Sequence, residues 1–181
     1  LSFYTFRNLS YLFDIYLSKV SAQRNFLTFA VYSTMFPYTS AGPIVRYTDI
    51  ETQLKQRTIN ISKFGIGAEL FVKGLAKKVL LADNLSVLYS SICGHPQMSV
   101  FTSWLGILAY TMQLYFDFSG YSDMAIGLGK MLGFDFNKNF DYPYISTSVS
   151  EFWRRWHISL GSWFRDYIYI PVSYTHLRAH E

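Results

Sequence analysis

The chain has 181 residues and is 50% hydrophobic, 19% aromatic and only 15% charged, whereas a soluble globular domain usually carries about 25% charged residues. Its net charge is +4, and no basic run is longer than Lys77-Lys78, so a nucleic-acid-binding protein is not expected. The single cysteine, Cys93, excludes an internal disulfide framework. The four histidines lack the spacing of metal ligands, so no metal site is expected.

Four segments with long intervals between charged residues are candidate membrane spans. They are residues 1–17, 25–45, 64–89 and 98–116. The last of them contains no Asp, Glu, Lys or Arg and approaches the about 20 residues that cross a bilayer. Residues 25–45 are also uncharged, but Pro37, Gly42 and Pro43 would break a helix there, so an irregular end is expected.

The charges that do fall inside these segments are expected to face other helices. Arg7 and Asp14 are seven residues apart and lie on nearly the same helix face, and a charge within a span is least costly in the bundle interior. We therefore predict an all-α fold, a multi-span transmembrane helical bundle with re-entrant or interfacial helices. The alternative is a soluble, aromatic-rich helical domain, which would carry more charge on its outer faces. The positive-inside tendency places the connection at 57–63 on the cytoplasmic side.

Two further patterns concern helix packing. Gly129 and Gly133 have the small-residue spacing that lets membrane helices approach closely, and the same stretch fails the dinucleotide-binding fingerprint. Asp117 and Asp123 are six residues apart and would point in different directions on a helix. We therefore predict that they form interhelix hydrogen bonds to Ser or Tyr, rather than an acid–base pair.

A capping box formed by Ser148 and Glu151 predicts a helix that starts near Val149. On one continuous helix, Glu151 would pair with Arg155 at the i+4 position. The aromatic stripe of this helix would comprise Trp153, Trp156, Leu160 and Trp163. An interfacial anchor uses the same composition, with rings at headgroup depth and guanidinium groups in water, so that alternative stays open.

His157 is the candidate catalytic residue on this helix. An imidazole can take a proton from a hydroxyl near neutral pH, and neighbouring arginines can bind the phosphate groups of an acyl donor. The candidate substrate-binding residues are Arg154, Arg155, Trp153 and Trp156. The adjacent Arg165 and Asp166 are predicted to form a structural pair.

Six stretches resemble the core of the membrane-bound O-acyltransferase (MBOAT) family. They are 36–37 (FP), 41–47 (AGPIVRY), 116–125 (FDFSGYSDMA), 140–145 (FDYPYI), 151–160 (EFWRRWHISL) and 163–171 (WFRDYIYIP). The similarity runs through residues 1–171 and is greatest to the bacterial alginate O-acetyltransferase branch. The teichoic-acid D-alanyl transfer proteins are near relatives.

The resemblance implies a multi-pass enzyme of the bacterial cytoplasmic membrane, with the lipid bilayer as its surroundings. Such an enzyme takes an acyl group, here expected to be acetyl, from a cytoplasmic thioester and passes it toward hydroxyls of an extracytoplasmic polysaccharide. An acetyl-CoA or acyl-carrier donor is then a co-substrate, no cofactor is bound, and an extracytoplasmic acyl-handling protein is a partner. The alternative is a non-enzymatic transport or scaffold protein of a polymer export system.

The resemblance also bears on the site and on the ends of the chain. The family's polar motif histidine maps onto His157, whereas the histidine generally regarded as catalytic would come later and is absent here. The chain is therefore expected to be an inactive fragment that lacks both ends. Residues 1–171 are predicted to be a partial MBOAT-like membrane domain. Residues 172–181 are predicted to be a non-native cloning or adaptor tail, and His176 and His180 are excluded from the site with it.

Overall fold

The computed structural model describes residues 2–38, 42–96 and 98–173, and within these ranges the regular structure is entirely helical. The α-helices are α1 (Ser2–Tyr16), α2 (Phe26–Thr34), α3 (Tyr47–Lys55), α4 (Ile61–Ala76), α5 (Asp83–Cys93), α6 (Val100–Met131), α7 (Val149–Arg155) and α8 (Ile158–Phe164). Short 3-10 turns occupy Phe36–Tyr38 and Pro143–Ile145, and π-helical segments occupy Lys77–Ala82 and Arg165–Tyr169. The all-α prediction is confirmed for this part of the chain.

Polar side chains fix the start of several helices. Asn25 accepts hydrogen bonds from the backbone amides at the start of α2, and Asn60 and Ser99 do the same for α4 and α6. Each cap satisfies a backbone N–H that has no partner inside its helix. The sequence therefore sets these boundaries locally.

Three of the four segments predicted as spans are largely helical, and in the segment 25–45 the α-helix covers Phe26–Thr34. Residues 98–116 lie almost wholly in α6, and residues 64–89 run from α4 through the π-helical segment into α5. The second segment ends irregularly, as predicted, because α2 gives way to a 3-10 turn at Pro37. Among the described residues, no helix combines the length and the hydropathy that a membrane span requires. The multi-span architecture stays a prediction.

Helices α4 and α6 pack in antiparallel register through four glycines, which we call the glycine interface. Gly67 lies opposite Gly127, and Gly74 lies opposite Gly120. A Cβ atom added to Gly127 would lie 2.6 Å from the carbonyl oxygen of Gly67, and one added to Gly74 would lie 2.5 Å from that of Gly120. No real Cβ contact is that short, so only glycine permits this approach of the two backbones.

The packing role predicted for Gly129 and Gly133 is wrong. Gly133 has a φ of +86° and ends α6, where the backbone N–H of Phe134 donates to the carbonyl of Gly129 at 2.9 Å. A second bond joins the N–H of Gly133 to the carbonyl of Lys130, which completes a Schellman C-cap. Gly129 lies against the ring of Phe136. The pair terminates its helix.

The prediction that Asp117 and Asp123 bond to Ser or Tyr is also wrong. Asp117 forms a 2.6 Å ion pair with Lys78, and Asp123 forms a 2.6 Å ion pair with Lys77. Both lysines lie in the π-helical segment after α4, which packs against α6. The carboxylates bind cations because two consecutive lysines face them from the neighbouring π-helical segment.

The inward orientation predicted for Arg7 and Asp14 is confirmed, since both side chains are buried. The guanidinium of Arg7 lies 4.6 Å from the ring centroid of Tyr38, within the range of a cation–π contact. Asp14 accepts a 2.8 Å hydrogen bond from the hydroxyl of Tyr167. Helix α1 is thereby joined to the turn before α3 and to the segment after α8.

Candidate active site

Helix α7 begins where the capping box predicts. Ser148 Oγ accepts a 3.1 Å hydrogen bond from the N–H of Glu151, and the first helical residue is Val149. The Glu151 carboxylate reaches back to the N–H of Thr147 rather than to that of Ser148. That hydrogen bond and the bonds from Arg155 and the Thr147 hydroxyl lower the pKa of Glu151 to about 2.

The predicted continuous helix is wrong, because the chain breaks at His157. Helix α7 ends at Arg155 and α8 begins at Ile158, and His157 between them has a φ of 45°, in the left-handed region. Backbone hydrogen bonds to the loop before α7 hold the chain on both sides of the break. The N–H of Asp141 donates to the carbonyl of Arg155, and the N–H of Ile158 donates to the carbonyl of Asn139, each at 2.9 Å.

The break also divides the predicted aromatic stripe. Trp153 on α7 is 61% exposed, whereas Trp163 on α8 is 3% exposed. The indole N–H of Trp163 donates to the carbonyl of Phe6 at 3.0 Å, which fixes α8 on α1. The two tryptophans therefore face different surroundings, and the two short helices do not form a single interfacial anchor with one apolar face.

His157 is 7% exposed and lies among aromatic rings. Its ring centroid is 4.8 Å from that of Phe118 and 5.8 Å from that of Phe3. Burial lowers the pKa of His157 to about 4, because the charged imidazolium loses its hydration there. The imidazole is consequently neutral at neutral pH and retains the lone pair that a general base needs.

The two ring nitrogens of His157 have different surroundings. Nδ1 lies 3.1 Å from Oδ1 of the buried Asn139. Nε2 is buried and has no hydrogen-bond partner among the described residues. The orphaned nitrogen is the one polar atom of the ring that is available to a reacting group.

An aromatic cleft of about 320 Å³ adjoins the histidine. Its lining residues are Trp153, Trp156, His157, Leu160, Gly161 and Phe164. Three of the residues predicted for the site are thus brought together, namely His157 and the two tryptophans. Arg154 and Arg155 do not line this cleft.

The two arginines differ in their contacts. Arg155 bonds the Glu151 carboxylate at 2.8 and 2.9 Å and the carbonyl of Asp141 at 3.2 Å, so it braces α7 against the preceding loop. The side chain of Arg154 is exposed. Their donor-binding roles stay predictions.

The predicted Arg165–Asp166 pair is confirmed at 2.7 Å, and Asp166 also binds Arg46 at 2.8 Å.

Sequence reasoning missed Asn139, whose amide and backbone carbonyl hold the segment around His157. The residue directly precedes the stretch 140–145, and it stands in a polar run with Asn137 and Lys138, so nothing in the local sequence distinguishes it. His176 and His180 of the predicted tail lie outside the described residues.

Comparison with known protein families shows the class to which the chain belongs. The model of the membrane-bound O-acyltransferase family matches residues 1–180. The chain belongs to this family.

Three individual proteins of known name are similar in sequence to this chain. The chain is 51% identical over 173 residues to a protein described as probable alginate O-acetylase AlgI in Pseudomonas syringae pv. tomato, which covers 96% of this chain and 33% of the relative. It is 33% identical over 203 residues to the peptidoglycan O-acetyltransferase of Helicobacter pylori, with 96% and 38% covered. It is 30% identical over 182 residues to the teichoic acid D-alanyltransferase of Bacillus subtilis, with 94% and 44% covered. The chain thus spans about a third of the length of the most similar of these relatives.

Proposed function

We propose that the complete protein carrying this chain is an integral membrane O-acyltransferase of the bacterial cytoplasmic membrane. It passes an acetyl group from a cytoplasmic thioester donor toward hydroxyls of an extracytoplasmic polysaccharide. The names of the relatives share acyl transfer to a polymer, and the relatives that are 51% identical over the aligned residues are named as probable alginate O-acetylases. The observation that carries the proposal is the buried neutral His157, with its free Nε2, at an aromatic cleft inside the family's motif.

In this proposal His157 of the polar motif, and not the later histidine that the resemblance implies, is the general base. Nε2 takes the proton from the attacking hydroxyl as its oxygen bonds to the thioester carbonyl carbon, and the thiolate leaves and receives that proton. The Nε2 atom lies below the surface of the cleft. A hydroxyl reaches this atom only after the surrounding side chains move, and the same burial keeps water from the thioester.

The other residues of the proposal serve the donor. Arg154, whose side chain is exposed, binds the donor's phosphate groups in this proposal, and Arg155 contributes positive charge beside it while it braces α7. Trp153 and Trp156 line the passage to His157. An extracytoplasmic partner protein receives the acyl group or delivers it to the polymer.

Transfer of label tests the proposal. The complete protein is purified in detergent, incubated with thioester donors carrying a radioactive acetyl group, and supplied with a hydroxylated polymer and with membrane extract as a source of the partner. We expect an alkali-labile ester to form on the polymer or the partner. A protein that binds the polymer and transfers no label from acetyl-CoA or an acetylated carrier is the transport or scaffold protein of the alternative.

The pH dependence of this transfer follows from the burial of His157. Its pKa is lowered to about 4, so the base form is fully present above that pH and is lost as the pH falls through it. We expect the initial rate of transfer to stay level between about pH 6 and 8 and to fall only below about pH 5. An acid limb near the ordinary histidine value of 6.5 would show that the imidazole is hydrated in the working enzyme.

A further inference from the structure

We propose that Asn139 is a positioning residue, which holds the proton of His157 on Nδ1 and so leaves the lone pair on Nε2. No relative's name and no motif assigns this role. The effect of Asn139 on acyl transfer rests on the proposed function, whereas the position of the proton on the His157 ring does not. The test below separates the two.

The backbone of Ser159 fixes which way the Asn139 amide points. The N–H of Ser159 lies 3.1 Å from the atom assigned as Oδ1. A backbone N–H can only donate, so this atom must be the oxygen and not the amide nitrogen. The hydroxyl of Ser159 donates to the same oxygen at 2.8 Å. The amide orientation is therefore determined by two donors other than the histidine.

The tautomer of His157 follows from that orientation. Nδ1 lies 3.1 Å from the same oxygen, which has no proton to give. The contact is a hydrogen bond only when Nδ1 carries the proton, and a neutral imidazole carries just one. Nε2 is then an unprotonated acceptor, the state that proton abstraction requires.

The remaining bonds of Asn139 keep it from turning over. The residue is 1% exposed, and its amide N–H donates to Ser122 Oγ of α6 at 3.2 Å. Its backbone carbonyl accepts from the N–H of Ile158, the first residue of α8. Asn139 thus ties α6, the loop and α8 together at the break that lies beside the cleft.

No ionised group competes with Asn139 for control of His157. Burial is the only cause that shifts the pKa of this histidine. The charged groups on the elements packed around it are Arg7 and Asp14 on α1, Asp117, Asp123 and Lys130 on α6, Asp135, Lys138 and Asp141 in the loop, and Glu151, Arg154 and Arg155 on α7. Asp14 pairs with Lys19, and Asp135 pairs with Lys63 and Lys130. The carboxylates among them are paired with lysine or arginine side chains. A new negative charge at position 139 would therefore be felt directly by the ring.

The variant Asn139→Asp tests the inference through the pH profile of the complete protein. The carboxylate has the same shape, it still accepts from Ser159 and His157, and the Ser122 hydroxyl can rotate to donate to its second oxygen. The new negative charge stabilises the imidazolium, so we expect the acid limb of the transfer rate to move up by about one to three pH units. A purely structural role lowers the rate at every pH and leaves the limb where it was.

Two further variants complete the series. Asn139→Ala removes the acceptor, and we expect about 100-fold slower transfer at pH 8, of which Asn139→Asp restores a large part. Asn137→Asp places the same charge two residues away on an exposed side chain. We expect this control to leave both the rate and the acid limb unchanged.

The tautomer is measured without reference to activity. Nitrogen-15 NMR is recorded on the complete protein with labelled histidine, and the His157 signals are assigned by their loss in His157→Gln. We expect His157 to carry its proton on Nδ1 in the unaltered protein. We expect the Asn139→Ala protein to lose this preference for Nδ1. Protonation on Nε2 in the unaltered protein would overturn the inference, as would an unmoved acid limb in an active Asn139→Asp protein. Full transfer by His157→Gln would overturn the proposed function and leave the tautomer result standing.

Discussion

Replacing Gly127 with valine is expected to lower the free energy of unfolding by about 3 kcal/mol. A Cβ atom at this position would lie 2.6 Å from the carbonyl oxygen of Gly67 and 2.7 Å from the backbone nitrogen of Phe71. Neither atom belongs to a flexible side chain, so α4 and α6 must move apart along the glycine interface. The change is measured as a lower unfolding temperature of the complete protein in detergent, together with a reduced yield of folded protein.

Gly65→Val is the matched control. Gly65 lies on the same helix as Gly67, two residues away, and an added Cβ there meets nothing within 4 Å among the described residues. We expect the control to keep the unfolding temperature of the unaltered protein within a degree or two, because valine and glycine differ little in helix propensity. If the two variants unfolded at the same temperature, close approach through glycine would not hold these helices together.

The sequence predicts the helices well, because their signals are local. The capping box places the start of α7, and the seven-residue spacing of Arg7 and Asp14 places both side chains inside. Helix caps and face periodicity depend on neighbours within a turn or two of the chain. These features need no knowledge of the partner helix.

Features that depend on distant residues were not predictable in the same way. The break at His157 is stabilised by backbone bonds from the loop at 139–141, and nothing in the local sequence of α7 and α8 signals it. The glycine interface needs two helices in register. Its members are spaced by seven residues on each helix, whereas the two glycines four residues apart, Gly129 and Gly133, form a C-cap.

The residues of the candidate site also divide into those that the sequence predicts and those that depend on distant contacts. His157 was predicted from its chemistry and from the family resemblance, and Trp153 and Trp156 were predicted as substrate-binding residues. The cleft brings these three residues together. Asn139 was missed because an asparagine in a loop is ordinarily a turn residue. Its role depends on burial and on the hydrogen bond to a histidine 18 residues later.

Replacing His157 with glutamine is expected to lower the rate of acyl transfer by about 100-fold to 10,000-fold, the range that a positioned general base contributes. Glutamine can keep a hydrogen bond to Asn139 and fill much of the ring's volume, but it has no basic nitrogen. The loss should therefore appear in the chemical step and not in donor binding or in folded yield. Initial rates of labelled acetyl transfer and the affinity for a non-transferable thioether analogue of the donor measure the two separately.

His95→Gln is the control for this substitution. The same chemical change is made at an exposed histidine that lies after α5, away from the aromatic cleft. We expect transfer rates equal to those of the unaltered protein. If His95→Gln slowed transfer as much as His157→Gln does, the loss would come from replacing a histidine with glutamine in general and not from the position of His157.

A single-turnover reaction tests the role of His157 most directly. The complete protein, in excess over a labelled thioester donor, is mixed with acceptor at pH 7, and the formation of ester is followed in the unaltered protein and in His157→Gln. The account predicts that both proteins bind the donor equally and that the variant forms ester about 100-fold to 10,000-fold more slowly. Equal rates of ester formation in the two proteins would contradict it, because the buried imidazole would then take no part in the transfer.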